Sequence, residues 1–166
     1  MADFFIADTH FGGENIRRYE NRPFTTVLEM NEKLIENWNQ IVTKEDTVYV
    51  LGDFSDYTDA EMDRKILNRL NGNKILVMGN HDKHRTPQEW RELGFLECFF
   101  LPVLYKDFFL LSHEPLYINT NMPYANFYGH VHANPSYKDT SKQSACVSVE
   151  RIAYTPIKFE VLRGKM

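Results

Sequence analysis

The stretch Ile75-Leu76-Val77-Met78-Gly79-Asn80-His81-Asp82 decides how this chain is read. Ile75 to Met78 form a short apolar run, the pattern of a strand covered on both faces. Gly79 lets the backbone turn sharply, and Asn80, His81 and Asp82 follow without a spacer. Three polar side chains therefore leave one strand end together, and strand ends in α/β sheets are where sites are built. Taken alone, the same residues also fit a Gly-Asn turn with solvated polar groups. The rest of the chain decides between the two.

Upstream, residues 4–7 read as a first strand that ends in Asp8-Thr9-His10, and residues 47–51 as a second that ends in Gly52-Asp53. Helices are expected between them, over 14–20 and from a Thr25-Thr26 cap with Glu29 in the first turn. Val27, Met30, Leu34, Trp38 and Ile41 recur there at helical spacing, which reads as core packing. Further helices are expected over 59–70 and from Thr86-Pro87 to Gly94. Beyond Phe95 the helical period disappears. Strands are expected over 99–101, 103–105, 108–111, 126–128, 145–149 and 157–161. The first half alternates strand and helix and the second is mostly strand, which suggests one α/β domain over 1–166 with two packed sheets and helices outside.

The chain has 166 residues, enough for one domain with a sizeable core. A formal net charge of -4 argues against a broad basic face for duplex nucleic acid. The only cysteines, Cys98 and Cys146, form no Cys-x-x-Cys pair, so neither a disulfide framework nor a thiolate zinc site is expected. The N-terminus has no basic region before its short apolar run and reads as a strand. No run approaches the length of a membrane span. A cytoplasmic location is the simplest expectation.

The polar groups at the strand ends are Asp8, His10, Asp53, Asn80, His81, His113, His130 and His132. Five of the six histidines fall in this set, and only His84 is left over. A single histidine after a strand is usually a hydrogen-bonded loop residue. Here the pattern recurs in strand after strand. Asp, His and Asn without Cys are ligands for Mn²⁺, Fe or Zn²⁺ held by oxygen and imidazole.

The order Asp8-Thr9-His10, Gly52-Asp53, Gly79-Asn80-His81-Asp82, Ser112-His113-Glu114, Gly129-His130-Val131-His132 resembles the calcineurin-like metallophosphoesterases, in particular small stand-alone bacterial and phage members. The resemblance implies a four-layer α-β-β-α sandwich with two mixed β-sheets. It also implies two divalent metal ions, with Mn²⁺ favoured and Fe, Zn²⁺ or Ni²⁺ as alternatives. Asp8, His10, Asp53 and His132 would hold one, and Asp53, Asn80, His113 and His130 the other, with Asp53 bridging. His81 would face the leaving group off the metals, Asp82 would orient it, and Asp56 would support the ligands from behind. Two metals roughly 3.5–4 Å apart make a hydroxide available near neutral pH and clamp a phosphoryl group. One departure is Gly13, where members of this type often carry histidine. It removes a polar group near the substrate.

The implied activity is hydrolysis of a phosphate ester, a phosphodiester over a monoester, with a nucleotide or nucleic-acid-derived substrate compatible. Arg17, Arg18 and Arg22 are the candidate substrate contacts, although three arginines on an acidic chain more often form ion pairs. The competing readings are a phosphomonoesterase or protein phosphatase of the same fold, a non-catalytic metal-binding scaffold, and a nucleic-acid-binding module. The scaffold reading predicts loss of catalytic groups, and His81 and both carboxylates are present.

Overall fold

The computed structural model describes residues 1–137 and 141–166. Along the chain its elements are β1 (Asp3–Ile6), α1 (Glu14–Tyr19), α2 (Val27–Ile41), β2 (Thr47–Val50), α3 (Ala60–Arg69), β3 (Asn73–Val77), α4 (Pro87–Leu93) and β4 (Glu97–Phe99). The second half adds β5 (Val103–Tyr105), β6 (Phe109–Leu111), β7 (Ala125–Tyr128), β8 (Ser144–Cys146), β9 (Ile157–Lys158) and α5 (Phe159–Arg163). Both sheets are mixed, in the orders β4-β3-β2-β1-β9 and β5-β6-β7-β8. The first is parallel except for β9, and the second is parallel except for β5.

Side-chain alternation makes two core layers out of one sheet. Phe4, Ile6, Val48, Val50 and Leu76 face the helices and pack with Met30, Leu34, Trp38, Ile66 and Trp90. Phe5, Leu51 and Val77 face the second sheet and meet Phe109, Leu111 and Phe127. Phe5 sits edge-on to Phe127, ring centroids 5.1 Å apart. Emptying such a site, as in Phe5→Ala, costs about 3–5 kcal/mol. The four expected helices begin where the sequence says they should. Thr26 accepts the Glu29 N–H at 3.1 Å, and Thr86 and Glu89 form a capping box with Pro87 in the first turn.

Register positions the site. Ile6 pairs with Val50 and Val50 with Leu76, so β1, β2 and β3 end level. Leu111 pairs with Phe127 and Tyr128 with Cys146, which levels the second sheet. A parallel bridge between Ala7 and Ser148 joins the two sheets at this same edge.

Three expectations need correction. The strand expected over 157–161 stops at Lys158, and α5 follows. Phe159 and Leu162, three apart, are both buried while Val161 is exposed, so a helical turn buries what a strand would have split. The strand expected over 99–101 lies at Glu97–Phe99. The one expected over 145–149 ends at Cys146, and a 3₁₀ turn covers Val149–Arg151. Residues 114–124, between β6 and β7, contain no helix; Asn126 Oδ1 accepts the Leu116 N–H at 2.9 Å, and Ile118 is buried.

Candidate metal centre

Five of the expected ligands hold the backbone in the left-handed region. The φ values are 60° at Asp8, 46° at His10, 53° at Asp53, 71° at His130 and 49° at His132. Each such residue costs on the order of 1 kcal/mol or more, and strain of this kind clusters at functional sites. Glycines let the strand ends converge. A Cβ on Gly52, whose φ is 87°, would lie 2.2 Å from His113 Nδ1, and one on Gly79 would lie 2.3 Å from Asp53 Oδ1.

The histidine rings are turned by oxygen acceptors on their far sides. His113 Nδ1 lies 2.9 Å from the Leu51 carbonyl oxygen, so it carries the proton and donates it. His10 Nδ1 donates likewise to Asp56, at 3.0 and 3.1 Å, and His132 Nδ1 to Glu150 Oε1 at 3.1 Å. In each ring Nε2 is left to face the site, the arrangement that fixes a metal-binding tautomer.

Asp53 lies between two of these nitrogens, with Oδ2 3.5 Å from His10 Nε2 and 3.4 Å from His113 Nε2. Its other oxygen accepts the His81 N–H at 2.9 Å. His113 Nε2 is also 3.0 Å from Asn80 Oδ1 and 3.0 Å from His130 Nδ1. One ring nitrogen cannot satisfy all three neighbours with a single proton, but a cation among them can. Among the described residues, the buried His10 Nε2 has no hydrogen-bond partner. Asp8 Oδ2 accepts from the Ser148 hydroxyl at 2.6 Å and from the His130 N–H at 2.9 Å. Asp8 Oδ1 stands 3.9 Å from His132 Nε2. Asp8, His10 and His132 form one group able to hold a metal ion, and Asp53, His113 and His130 form another. His10, Asp53 and His81 also lie close enough together to share an ion. The donor set of carboxylate, imidazole and amide oxygen fits a divalent metal.

The electrostatics agree. Burial alone would raise the Asp53 carboxyl, but the hydrogen bond and charge of His113 and the charge of His10 outweigh it and hold it well below the usual range. Burial pushes His113 down, yet Asp53 and Asp8 raise it to about 9. Without a metal the site therefore keeps a proton where a cation would be welcome.

Two expected roles are corrected. Asp82 does not orient His81. Its buried carboxylate accepts the N–H groups of Asp53 at 2.7 Å, Phe54 at 3.0 Å and Gly79 at 2.7 Å. His81 Nδ1 instead lies 3.0 Å from Asp56 Oδ1. Residues Asn80–His84 form a 3₁₀ turn, in which neighbouring side chains point roughly 120° apart. Asp82 faces inward under the loop and His81 outward. Nor is Arg22 available to a substrate. Its buried guanidinium bonds the carbonyls of Asp8 and Thr9 and lies 2.8 Å from Glu150. Arg17 is engaged by Glu14 and the Phe24 carbonyl. Arg18 stays exposed beside Glu14.

Sequence reasoning missed Ser148 and Glu150, which brace Asp8 and His132. The signal was there, because both follow the last strand of the second sheet, but neither is a histidine or aspartate.

The comparisons agree with this geometry. The family described as calcineurin-like phosphoesterase matches residues 4–148. An uncharacterized protein of Methanocaldococcus jannaschii is 37% identical over 165 residues, covering 96% of this chain and 88% of that protein. The Gene 66 protein of Mycobacterium phage L5 is 31% identical over 81 residues, which are 48% of this chain and 39% of the phage protein. The crystal structure of a protein of unknown function from Aquifex aeolicus superposes with a TM-score of 0.77 at 28% identity, covering 99% of both chains. The match runs through every strand-end motif from Asp8 to His132, and with it this chain belongs to the calcineurin-like phosphoesterases, a family of metal-dependent phosphoester hydrolases.

Proposed function

We propose that the chain is a dinuclear metal-dependent phosphodiesterase. Asp8, His10, Asp53 and His132 hold one divalent ion, Asp53, Asn80, His113 and His130 the other, with Mn²⁺ the favoured metal. The observation that carries this reading is Asp53 Oδ2 midway between His10 Nε2 and His113 Nε2, at 3.5 and 3.4 Å. When bound, the metals supply Lewis-acid polarisation of the phosphoryl oxygens and activate water near neutral pH.

The chain's own residues do the rest. His81, half exposed at the rim, donates a proton to the departing ester oxygen, a role worth roughly 10²–10⁴-fold. Asp56 holds its Nδ1 at 3.0 Å, turning Nε2 toward the substrate. The same carboxylate holds His10, so one residue sets both a metal ligand and the acid. Asp82 and Arg22 keep the loops that carry Asp53 and Asp8 in place.

The preference for a diester rests on charge. A monoester brings nearly two negative charges, as phosphorylated side chains do, and is best held by added cationic donors. Of the three candidate arginines, Arg22 and Arg17 are committed to protein partners, and Arg18 is exposed beside Glu14 at the groove. The free, buried Cys98 and Cys146 support a reducing, cytoplasmic setting. The experiment is kcat/KM of Mn²⁺-loaded protein for bis-p-nitrophenyl phosphate against p-nitrophenyl phosphate. The diester is expected to be the better substrate. A clear monoester preference overturns the diesterase reading, and full activity after metal stripping overturns the metal reading.

A further inference from the structure

A groove opens beside the metal-ligand cluster on the side of His81, between α1 and the segment around Tyr57. Gly13, Ile16 and Tyr19 line one side, Asp56, Tyr57 and His81 the other. Neither the metals nor the acid account for its walls.

The Tyr57 ring is fixed. A Cβ on Gly12 would lie 2.6 Å from its ring carbons, so the ring lies directly against that glycine. Asn31 Nδ2 donates to the Tyr57 hydroxyl at 2.9 Å, while Asn31 Oδ1 accepts the Gly12 N–H at 3.1 Å. The facing helix α1 buries none of its residues fully, yet carries Ile16 and Tyr19 three positions apart on one face. Tyr19 is 82% exposed, an aromatic ring that core packing does not explain. Gly13 keeps the floor open, since a Cβ there would meet Asp56 Oδ2 at 2.5 Å and Ile16 Cγ2 at 2.8 Å. Among the described residues of the groove, Asp56 is engaged by His10 and His81, and Arg18 by Glu14, so these charges are already paired. A prebuilt aromatic wall with a second exposed ring suits a flat, neutral π system.

We propose that this groove binds the leaving alcohol of the substrate diester, and that this alcohol is a nucleoside whose base lies against Tyr57 and Tyr19. The inference rests on the phosphodiesterase reading of the same site. It follows from His81, which lines the groove and is the group placed to protonate the leaving oxygen. A water oxygen forms the new bond to phosphorus and the bond from phosphorus to the nucleoside oxygen breaks. The His81 proton goes to that oxygen and the proton of the water to solvent, leaving a phosphomonoester and a free nucleoside.

Two measurements test it. The first is binding of adenosine to the metal-free protein, followed by saturation-transfer NMR and titration calorimetry. Adenosine is expected to bind, and Tyr19→Ala and Gly13→Leu to weaken it by about tenfold, the scale of one lost base-aromatic contact. The second is product identification with adenosine 5′-methyl phosphate and Mn²⁺-loaded protein. Adenosine and methyl phosphate are the expected products. Adenosine monophosphate and methanol would place the nucleoside on the other side of phosphorus and overturn the proposal. So would absent adenosine binding, or binding unchanged in both variants. Hydrolysis of bis-p-nitrophenyl phosphate separates the two readings. If that diester is cleaved and adenosine is ignored, the groove assignment fails alone. If no diester is cleaved, the phosphodiesterase reading fails and takes the leaving-group role with it.

Discussion

His81 Nδ1 lies 3.0 Å from Asp56 Oδ1, and Asp56, twenty-five positions away, rather than the adjacent Asp82, is the carboxylate that turns the ring. His81→Ala should keep the metal content and lose roughly 10²–10⁴-fold in rate, with the larger loss for poor leaving groups. Asp56→Asn should lower the rate and also weaken metal binding by about 10–100-fold, because the same carboxylate positions His10. Metal analysis beside a leaving-group series distinguishes them. An equal loss across the series for His81→Ala removes the general-acid role.

Asp82 makes a different forecast. Its carboxyl is pushed up to about 6 by burial and by the charge of Asp53, against the three N–H groups that it accepts. Asp82→Ala strands those donors in the interior, each worth about 1–3 kcal/mol. The variant should lose about 3 kcal/mol of stability in urea denaturation. Wild-type stability with activity lost only for poor leaving groups would return Asp82 to the role of orienting His81.

Asp53 Oδ2 stands 3.5 Å from His10 Nε2 and 3.4 Å from His113 Nε2, between the two proposed metal positions, so its loss should be felt in both. Asp53→Asn is expected to lower metal content at both positions and to remove most activity. Asn80→Ala and His132→Ala should each deplete one position more than the other, since they approach Asp53 from opposite sides through His113 and through His10 and Asp8. Full activity and metal content in Asp53→Asn would falsify the bridging role.

Cys98 and Cys146 are buried and unpaired. Burial, with the charge of Asp82, pushes the Cys98 thiol up to about 12. Burial likewise raises Cys146 to about 11, although bonds from Ser148 oppose it. A raised thiol pKa means less thiolate at a given pH, and the thiolate is the reactive form. At pH 8 the native protein should leave an aromatic disulfide reagent untouched, and two thiols should react after unfolding. Rapid labelling of the native chain would show that one of the pockets opens.

The candidate ligands stand out in the sequence because each follows an apolar strand, and level strands bring their ends together. Asp8, Asp53, Asn80, His113 and His130 were legible on that ground alone. What escaped was whatever depended on the path between strands. Glu150 reaches His132 through a 3₁₀ turn that no period announces. Asp82 lies next to His81 in sequence, but the tight turn sends the two side chains apart. At the C-terminus, two strand residues followed by a five-residue helix are too short for either pattern to dominate.

Arg22 carries the last prediction. Its place in the cluster after the first strand makes it one of three arginines that a phosphate could meet, but its guanidinium is fully buried, with Glu150 at 2.8 Å and the Asp8 and Thr9 carbonyls as further acceptors. Removing one partner of a buried ion pair leaves the other charge uncompensated, at a cost of about 3–5 kcal/mol. Arg22→Ala should therefore lower the urea midpoint strongly. Glu150 also holds His132 Nδ1 at 3.1 Å, so metal retention should fall with it. The ratio of diester to monoester kcat/KM, measured on the folded fraction, should stay as in the parent protein, because Arg22 never meets the substrate. A stable Arg22→Ala protein whose substrate preference has changed would put this guanidinium back in the active site.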